Sequence, residues 1–233
     1  MKIALVQTHP ERGDVEANLA DHIHWIGKAG RKQADLVVFP ELSLTGYEPS
    51  LANELAMELD DPRLDFFQHC SDQFQMAIGI GLPLRWEKGI SIAMAIFQPG
   101  IPRSAYGKCL LHEDEMPYFV PGPKFSGFAG ELANIALAIC YELSIPEHIS
   151  TAVNSQASLY LASVAKDASG VEKASGSLSG YAQEYQIMTC MVNCIGPSEG
   201  FHSSGGTAVW DAQGKLMDQL QEEQPGLLIL DCH

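Results

Sequence analysis

The fold is decided by residues 133–142, Ala-Asn-Ile-Ala-Leu-Ala-Ile-Cys-Tyr-Glu. A run of apolar and small residues broken by one Asn is typical of a strand that is buried on both faces. Such strands occur in layered α/β proteins, which usually place their chemistry at the carboxyl ends of the strands. This strand ends at Cys140, so the sequence predicts a thiol at the edge of a sheet where a functional site is expected.

The residues after Cys140 predict a sharp turn into a helix. Pro146 and Glu147 are a signal for a helix start. We therefore expect Cys140 in a strand-to-helix elbow, near backbone N–H groups that would lower its pKa and hold an oxyanion. Taken alone, the cysteine has two interpretations, a nucleophile or a small hydrophobic residue of the core.

Length, composition and charge limit the class of protein. A chain of 233 residues, 46% hydrophobic and 18% charged, is long enough for a large core, and we expect residues 1–233 to form a single domain. The formal net charge of −15, from 29 acidic and 14 basic residues, argues against nucleic acid or an anionic membrane as a partner. We see no apolar run long enough for a signal peptide or a membrane span, so we expect a cytoplasmic protein. The six cysteines include no Cys-x-x-Cys pair, which argues against a zinc site and a thioredoxin-like site. We expect no cofactor.

A second apolar strand is predicted over residues 34–39. It stops at Pro40 and presents Glu41 directly afterwards. A carboxylate at the end of a buried strand is either a solvated loop residue or a general base. Position alone leaves both interpretations open.

The middle of the chain predicts strands joined by short turns, so the sheet is expected to be mixed. We expect a helix over residues 51–70 and a strand over residues 103–111 that contains Lys108. The acidic stretch at residues 112–115, His-Glu-Asp-Glu, is either a solvated loop or a metal site. Adjacent carboxylates lack the spacing that a dedicated metal site requires, so we expect no metal.

The chain after the Cys140 strand contains one stretch with no clear pattern. Residues 165–180 are rich in Ser, Gly and Lys, which predicts a mobile flap beside the site. A short helix is expected over residues 181–188, and a hairpin over residues 206–220. A last strand over residues 227–231 would complete the sheet.

Four motifs together carry a resemblance to a known family. They are residues 39–47 (Phe-Pro-Glu-Leu-Ser-Leu-Thr-Gly-Tyr), residues 106–108 (Tyr-Gly-Lys), Glu115 seven positions before Gly122, and residues 139–142 (Ile-Cys-Tyr-Glu). In this order and spacing the chain resembles the nitrilase, or carbon-nitrogen hydrolase, superfamily over nearly its whole length. The resemblance implies a four-layer αββα sandwich with mixed sheets. It also implies hydrolysis of a non-peptide C–N bond in a small linear amide.

The resemblance further implies roles for individual residues. Cys140 would form a thioester, and Glu41 would act as general base and acid. Lys108 and the backbone N–H of Tyr141 would hold the oxyanion, and Glu115 would orient Lys108 and the substrate. We expect the rest of the pocket to be shaped by residues 165–180 and by three aromatic side chains, Tyr47, Tyr118 and Phe119.

Two further expectations follow from the family. Its members generally pair subunits, so we expect at least a homodimer, with a contact patch formed by Ile145, His148, Ile149 and the helix at residues 181–188. The alternative to an amidase is a catalytically idle member that serves as a binding or scaffold protein. The presence of Glu, Lys, Glu and Cys together favours the enzyme.

Overall fold

The computed structural model describes residues 1–122 and 127–232. Its strands in chain order are β1 (Lys2–Gln7), β2 (Leu36–Val38), β3 (Ala77–Trp86), β4 (Gly89–Gln98), β5 (Ile101–Gly107), β6 (Ile135–Ile139), β7 (Leu159–Val164), β8 (Met188–Asn193), β9 (Ile195–Ser198), β10 (Phe201–Ser204), β11 (Ala208–Trp210), β12 (Leu216–Gln219) and β13 (Gly226–Asp231). Its α-helices are α1 (Val15–Arg31), α2 (Ala52–Leu55), α3 (Asp65–Phe74), α4 (Pro146–Asn154) and α5 (Ala168–Tyr185). Short 3₁₀ turns cover Pro49–Leu51, Pro62–Leu64, Gly130–Leu132 and Cys140–Ser144.

The strands form two mixed sheets and a small hairpin. The first sheet has the order β13-β1-β2-β3-β4-β5, and the second has the order β12-β11-β8-β7-β6. In each sheet three consecutive strands run parallel, β1-β2-β3 in the first and β6-β7-β8 in the second, and their neighbours are antiparallel. The hairpin pairs β9 with β10.

The side chains of β1 show why the sheets stack. Ile3 and Leu5 point into the core between the two sheets, and Ala4 and Val6 point to the opposite face, which α1 and α3 cover. This two-residue alternation with both sets apolar is what a strand buried on both faces requires. Helix α5 covers the outer face of the second sheet. The fold is therefore the expected four-layer αββα sandwich.

Two close contacts hold the strand ends that carry the candidate residues. Ser163 at the end of β7 donates a hydrogen bond of 3.0 Å from Oγ to the carbonyl oxygen of Phe39, just after β2. Gly81 in β3 lies directly under the backbone at residues 40–42, so that no side-chain atom fits between them. The first contact joins the two sheets at the edge where Glu41 and Cys140 stand, and the second fixes the loop after β2 on the first sheet.

The predicted flap at residues 165–180 is wrong, because most of it belongs to α5. Ser and Gly have low helix propensity, which hid the pattern. The buried residues of α5 are nevertheless three or four positions apart, on one face of the helix: Val171, Ala174, Leu178 and Ala182. The Asp167 side chain caps the helix by accepting a hydrogen bond of 2.7 Å from Gly170 N. Packing against the second sheet therefore decides the structure here. Of the separate helix expected over residues 181–188, residues 181–185 are the end of α5, and Met188 already begins β8.

Three other expectations need correction. The helix predicted over residues 51–70 is broken by the segment around Pro62 into α2, a 3₁₀ turn and α3. The strand predicted over residues 103–111 ends at Gly107, so Lys108 lies just beyond β5. Ile149 is fully buried inside its own subunit, so it contributes nothing to a surface patch for a partner subunit. No helix in the described residues is long and apolar enough to cross a membrane.

The contact under residues 40–42 gives a stability prediction. In Gly81→Ala the added Cβ would overlap the Pro40 carbonyl oxygen and lie 2.5 Å from Leu42 N, so the backbone around Glu41 must shift. We expect a loss of about 1–3 kcal/mol in the free energy of unfolding, measured by urea denaturation, together with a loss of activity. Gly176→Ala in α5 is the matched control. Its Cβ meets open space, so it should stabilise the protein by about 0.5–1 kcal/mol. Equal stability of the two variants would contradict the packing described here.

Candidate active site

The centre of the candidate site is a buried lysine held between two buried glutamates. Lys108 Nζ lies 2.7 Å from Glu41 Oε1 and 2.5 Å from Glu115 Oε1. Lys108 is 0% exposed, Glu41 2% and Glu115 1%, so solvent screens none of these charges. The structure therefore brings together three of the four residues at which the sequence predicted chemistry.

The backbone of Lys108 is held on both sides. Its N–H donates to Ile92 O at 2.8 Å, which continues the pairing with β4 after β5 has ended. Its carbonyl oxygen accepts from Gly122 N at 2.7 Å. The lysine thus projects from a fixed strand end and not from a free loop.

For both Lys108 and Glu41, burial and the opposite charge of the partner shift the pKa in opposite directions. Burial works to lower the pKa of Lys108, but the negative charges of Glu41, of the Cys140 sulfur when it is ionised and of Glu115 outweigh it, and the net pKa is raised. Lys108 is therefore protonated throughout the physiological range. Burial raises the pKa of Glu41, Lys108 opposes the shift, and the like charge of Glu115 adds to it. Glu41 consequently has a higher proton affinity than an ordinary glutamate.

Glu115 is held by donors other than Lys108. Its Oε1 also accepts a hydrogen bond of 3.0 Å from Tyr47 OH, and its Oε2 accepts one of 2.8 Å from His112 N. Glu113, two residues earlier in the same loop, is exposed. The prediction that Glu115 is the residue beside Lys108 thus agrees with the geometry. Among the described residues no group of three or more His, Cys, Asp or Glu is arranged to hold a metal ion.

Glu41 has one carboxylate oxygen that is not committed. Oε1 accepts from Lys108, whereas Oε2 is buried with no hydrogen-bond partner in the described residues. Buried carboxylate oxygens are normally satisfied, so this one is a candidate proton acceptor. The next residue, Leu42, has a φ of 51°, which is unfavourable for a bulky side chain and is typical of functional sites.

Cys140 stands at the end of β6 in a strained backbone conformation. Its φ is 45°, in the left-handed region, and it begins the 3₁₀ turn Cys140–Ser144. Its Sγ lies 3.8 Å from the carbonyl oxygen of Ala165, which follows β7. The expected elbow is present, and it leads after Pro146 into α4.

The expectation that the elbow lowers the pKa of Cys140 is wrong. Burial, and then the negative charge of Glu41, raise the pKa of the thiol to about 11, although Lys166 and Lys108 act in the opposite direction. The two glutamates already engage Lys108, so little of its positive charge is left to stabilise a thiolate. Cys140 is therefore an uncharged thiol at neutral pH.

Glu142 is a structural part of the site to which the sequence assigned no role. Its Oε1 accepts from Cys109 N at 2.6 Å, and its Oε2 accepts from Ile139 N at 2.8 Å and from Tyr106 OH at 2.8 Å. The carboxylate thus ties the residue after Lys108 to the residue before Cys140. Two of its three partners, Tyr106 and Cys109, lie 36 and 33 positions away in the chain, so only the buried position of an acidic residue in the Cys-Tyr-Glu motif could have pointed to it.

The remaining predicted residues surround this centre at different depths. The ring of Tyr47 contacts the ring of Phe201 edge to face at 5.4 Å between centroids. Tyr118 is exposed, and the Phe119 side chain is buried in a core cluster. Phe119 and Tyr141 also line an apolar cavity of about 560 Å³ next to the site.

The fold and the site together define a class of protein: an αββα sandwich with a buried Glu-Lys-Glu cluster beside a strand-end cysteine. The family model described as carbon-nitrogen hydrolase matches residues 2–233. The chain belongs to the carbon-nitrogen hydrolase family.

The relatives of this chain include an amidase, a probable nitrilase and a glutamine-dependent NAD(+) synthetase. An (R)-stereoselective amidase of Pseudomonas sp. is 26% identical over 93% of this chain and 80% of its own length. A probable nitrilase of Schizosaccharomyces pombe is 24% identical over 97% of this chain and 86% of its own. A glutamine-dependent NAD(+) synthetase of Thermotoga maritima is 26% identical over 96% of this chain, but this chain spans only 41% of the synthetase.

Solved structures with a similar fold include variants of an amidase from the nitrilase superfamily. A glutamate-to-glutamine variant of the amidase from Nesterenkonia sp. AN1, with acrylamide added at its active-site cysteine, superposes with a TM-score of 0.86. It is 25% identical and the alignment covers 100% of this chain and 93% of the amidase. A cysteine-to-serine variant of that amidase, from the nitrilase superfamily, gives a TM-score of 0.85 at 25% identity over 100% and 92%.

The different environments of the two neighbouring glutamates give a prediction. Glu115→Gln replaces an anion that accepts from Lys108, Tyr47 and His112 by a neutral amide, so Lys108 loses one of its two orienting charges. We expect kcat/KM for an amide to fall by about 30- to 1000-fold, or about 2–4 kcal/mol. Glu113→Gln, on the exposed side of the loop, should change stability and activity by less than about 0.5 kcal/mol. An inactive Glu113→Gln beside an active Glu115→Gln would reverse the assignment.

Proposed function

We propose that the protein is an amidase that hydrolyses small linear amides through a thioester on Cys140. The observation that carries this proposal is the buried cluster of Lys108 between Glu41 and Glu115, in which Glu41 has an uncommitted oxygen and interacts electrostatically with Cys140. An amide is a poor electrophile, so its hydrolysis is helped by a strong nucleophile, a proton carrier and an oxyanion site. The candidate site contains a residue suited to each of these tasks.

The first half of the reaction acylates the cysteine. Glu41 takes the proton of Cys140 through Oε2 while Sγ forms a bond to the amide carbon. The carbonyl oxygen becomes an oxyanion, which Lys108 Nζ and the backbone N–H of Tyr141 hold. When this intermediate collapses, the C–N bond breaks and the departing nitrogen takes the proton back from Glu41. Ammonia or an amine leaves, and the acyl group stays on Cys140 as a thioester.

The second half of the reaction releases the acid. Glu41, a carboxylate again, takes a proton from a water molecule, whose oxygen attacks the thioester carbon. The same two donors hold the second oxyanion. Collapse breaks the C–S bond, and the sulfur recovers the proton from Glu41. The enzyme returns to its starting state, with one amide and one water converted to one carboxylic acid and one amine or ammonia.

The pKa values of the two groups suit this exchange. Moving a proton from Cys140 to Glu41 only moves one negative charge from oxygen to sulfur inside the buried site, so no additional charge is created. The pKa of Cys140 is raised to about 11, so the thiol keeps its proton at neutral pH. Burial also raises the pKa of Glu41, which suits this carboxylate to take that proton during the attack. We therefore expect activation of the thiol to accompany attack on the bound substrate. This distinguishes the site from one that stores a thiolate.

A panel of small amides tests the proposal against an idle binding protein. We expect ammonia release from short aliphatic amides, and an acyl adduct on Cys140 in the intact-protein mass spectrum after rapid quenching. Cys140→Ser should lower kcat by at least about 1000-fold, because the hydroxyl is a far weaker nucleophile at this site. Cys232→Ser, at a half-buried cysteine outside the cluster, is the control and should leave the rate unchanged. Binding without ammonia release and without an adduct on Cys140 would favour the idle protein.

A further inference from the structure

A second lysine adjoins the candidate nucleophile. Lys166 follows Ala165, whose carbonyl oxygen lies 3.8 Å from Cys140 Sγ. The strand β7 that leads to it is parallel to β6, so the two strands end side by side. Lys166 is half-buried and lies before the first turn of α5.

The backbone of Lys166 is held in place by a buried amide. Lys166 N donates to Asn193 Oδ1 at 2.9 Å, and Asn193 Nδ2 donates to Lys166 O at 3.0 Å. Ser204 N adds a third hydrogen bond to Lys166 O, also 3.0 Å. Asn193 is fully buried and donates to Gly205 O as well. The backbone of Lys166 is therefore fixed close to Cys140, in the region where the sequence predicted a mobile flap.

Lys166 forms no ion pair in the part of the chain that the structure describes. In residues 1–122 and 127–232, no carboxylate oxygen lies within 4.0 Å of its ammonium group. Its neighbour Asp167 accepts from Gly170 N at the start of α5. Lys108, by contrast, lies between two glutamates.

A role for Lys166 in forming a stored thiolate does not fit the site. Its charge acts to lower the pKa of Cys140, but burial and Glu41 prevail and the thiol stays uncharged at neutral pH. An uncompensated, half-buried cation next to a reacting group is instead suited to bind an anionic group of a ligand. The net charge of −15 repels anionic ligands at long range, so such a ligand needs a local cation to bind.

We propose that Lys166 determines the specificity of the site and selects amides whose acyl group carries a carboxylate a few carbons from the amide. This inference rests on the proposed amidase function and names its substrate class. The acyl group is bonded to Cys140 Sγ in the thioester, so a short chain brings its terminal carboxylate to the neighbouring ammonium. Half-amides of short dicarboxylic acids and ω-amides of amino acids such as glutamine have this chemistry.

Matched substrate pairs test the selection. The two pairs are succinamate with butyramide and glutaramate with pentanamide, which differ mainly in the terminal carboxylate. We expect the wild type to prefer the anionic member by at least about 30-fold in kcat/KM, since a charge-assisted pair is typically worth this much. Lys166→Met should remove the preference, chiefly by raising KM for the anionic member, and should change kcat/KM for the neutral member by less than about threefold. Lys166→Arg should retain most of the preference because it keeps the charge.

The controls separate this inference from the proposed function. Lys173→Met, at an exposed lysine of α5, should leave both members of each pair unchanged. An equal fall for both members in Lys166→Met, with kcat reduced, would overturn the selection and leave the amidase standing, as would a wild type with no preference. If Lys166→Met does not fold, as judged by circular dichroism, Lys166→Gln takes its place in the comparison. A wild type that releases ammonia from no amide and carries no acyl group on Cys140 would instead overturn the proposed function.

Discussion

The structure of the site depends on the buried charge of Lys108 between two glutamates. A fully buried ammonium is energetically costly unless it is paired. Removing one partner of a buried ion pair is typically more destabilising than replacing the whole pair with apolar residues. Glu41 and Glu115 come from loops 67 and 7 positions away in the chain, so the pairing fixes three segments relative to one another. Gly81 under residues 40–42 and Glu142 between the Lys108 and Cys140 backbones have the same effect. The fold thus holds these charged groups close together in a buried site, where water does not screen their electrostatic interactions.

This arrangement explains why the thiol is uncharged. Two carboxylates and one ammonium leave a net negative charge in the cluster, and a thiolate would add another. The pKa of Cys140 is accordingly raised to about 11, and the uncommitted oxygen of Glu41 is the nearby acceptor that our proposal uses. In the proposed mechanism, negative charge develops on the Cys140 sulfur only while it bonds to the substrate carbonyl carbon. A thiol activated in this way would react less with other electrophiles than a stored thiolate.

Much of the fold and of the site could be predicted from local sequence. Continuous apolar runs at β2 and β6 indicated strands buried on both faces, and the residues that follow them, Glu41 and Cys140, stood out because a strand end is a place for function. The choice of Glu115 over Glu113 came from the resemblance, because only Glu115 keeps the family's distance to the turn at Gly122. Each of these inferences uses residues that are close together in the chain or in a motif with fixed spacing.

What could not be predicted depends on contacts between distant parts of the chain. Helix α5 forms despite its Ser and Gly content because its apolar face packs on the second sheet, a tertiary effect that propensity does not include. The raised pKa of Cys140 comes from burial and from Glu41, 99 positions earlier, and not from the elbow that contains the cysteine. Glu142 and Lys166 acquire their surroundings from backbone groups and an amide on other strands. Only the assembled sheets show these neighbours.

The most direct measurement of the central claim is the pKa of the Cys140 thiol in the free protein. Ultraviolet absorbance of the thiolate can be followed as the pH is raised, and the curve of a Cys140→Ala variant subtracted to remove the other cysteines and the tyrosines. The account predicts a titration near pH 11, well above that of an ordinary cysteine. A titration below about pH 7 would show a stored thiolate stabilised by Lys108 or Lys166, and would contradict the claim that Lys108 is committed to its two glutamates.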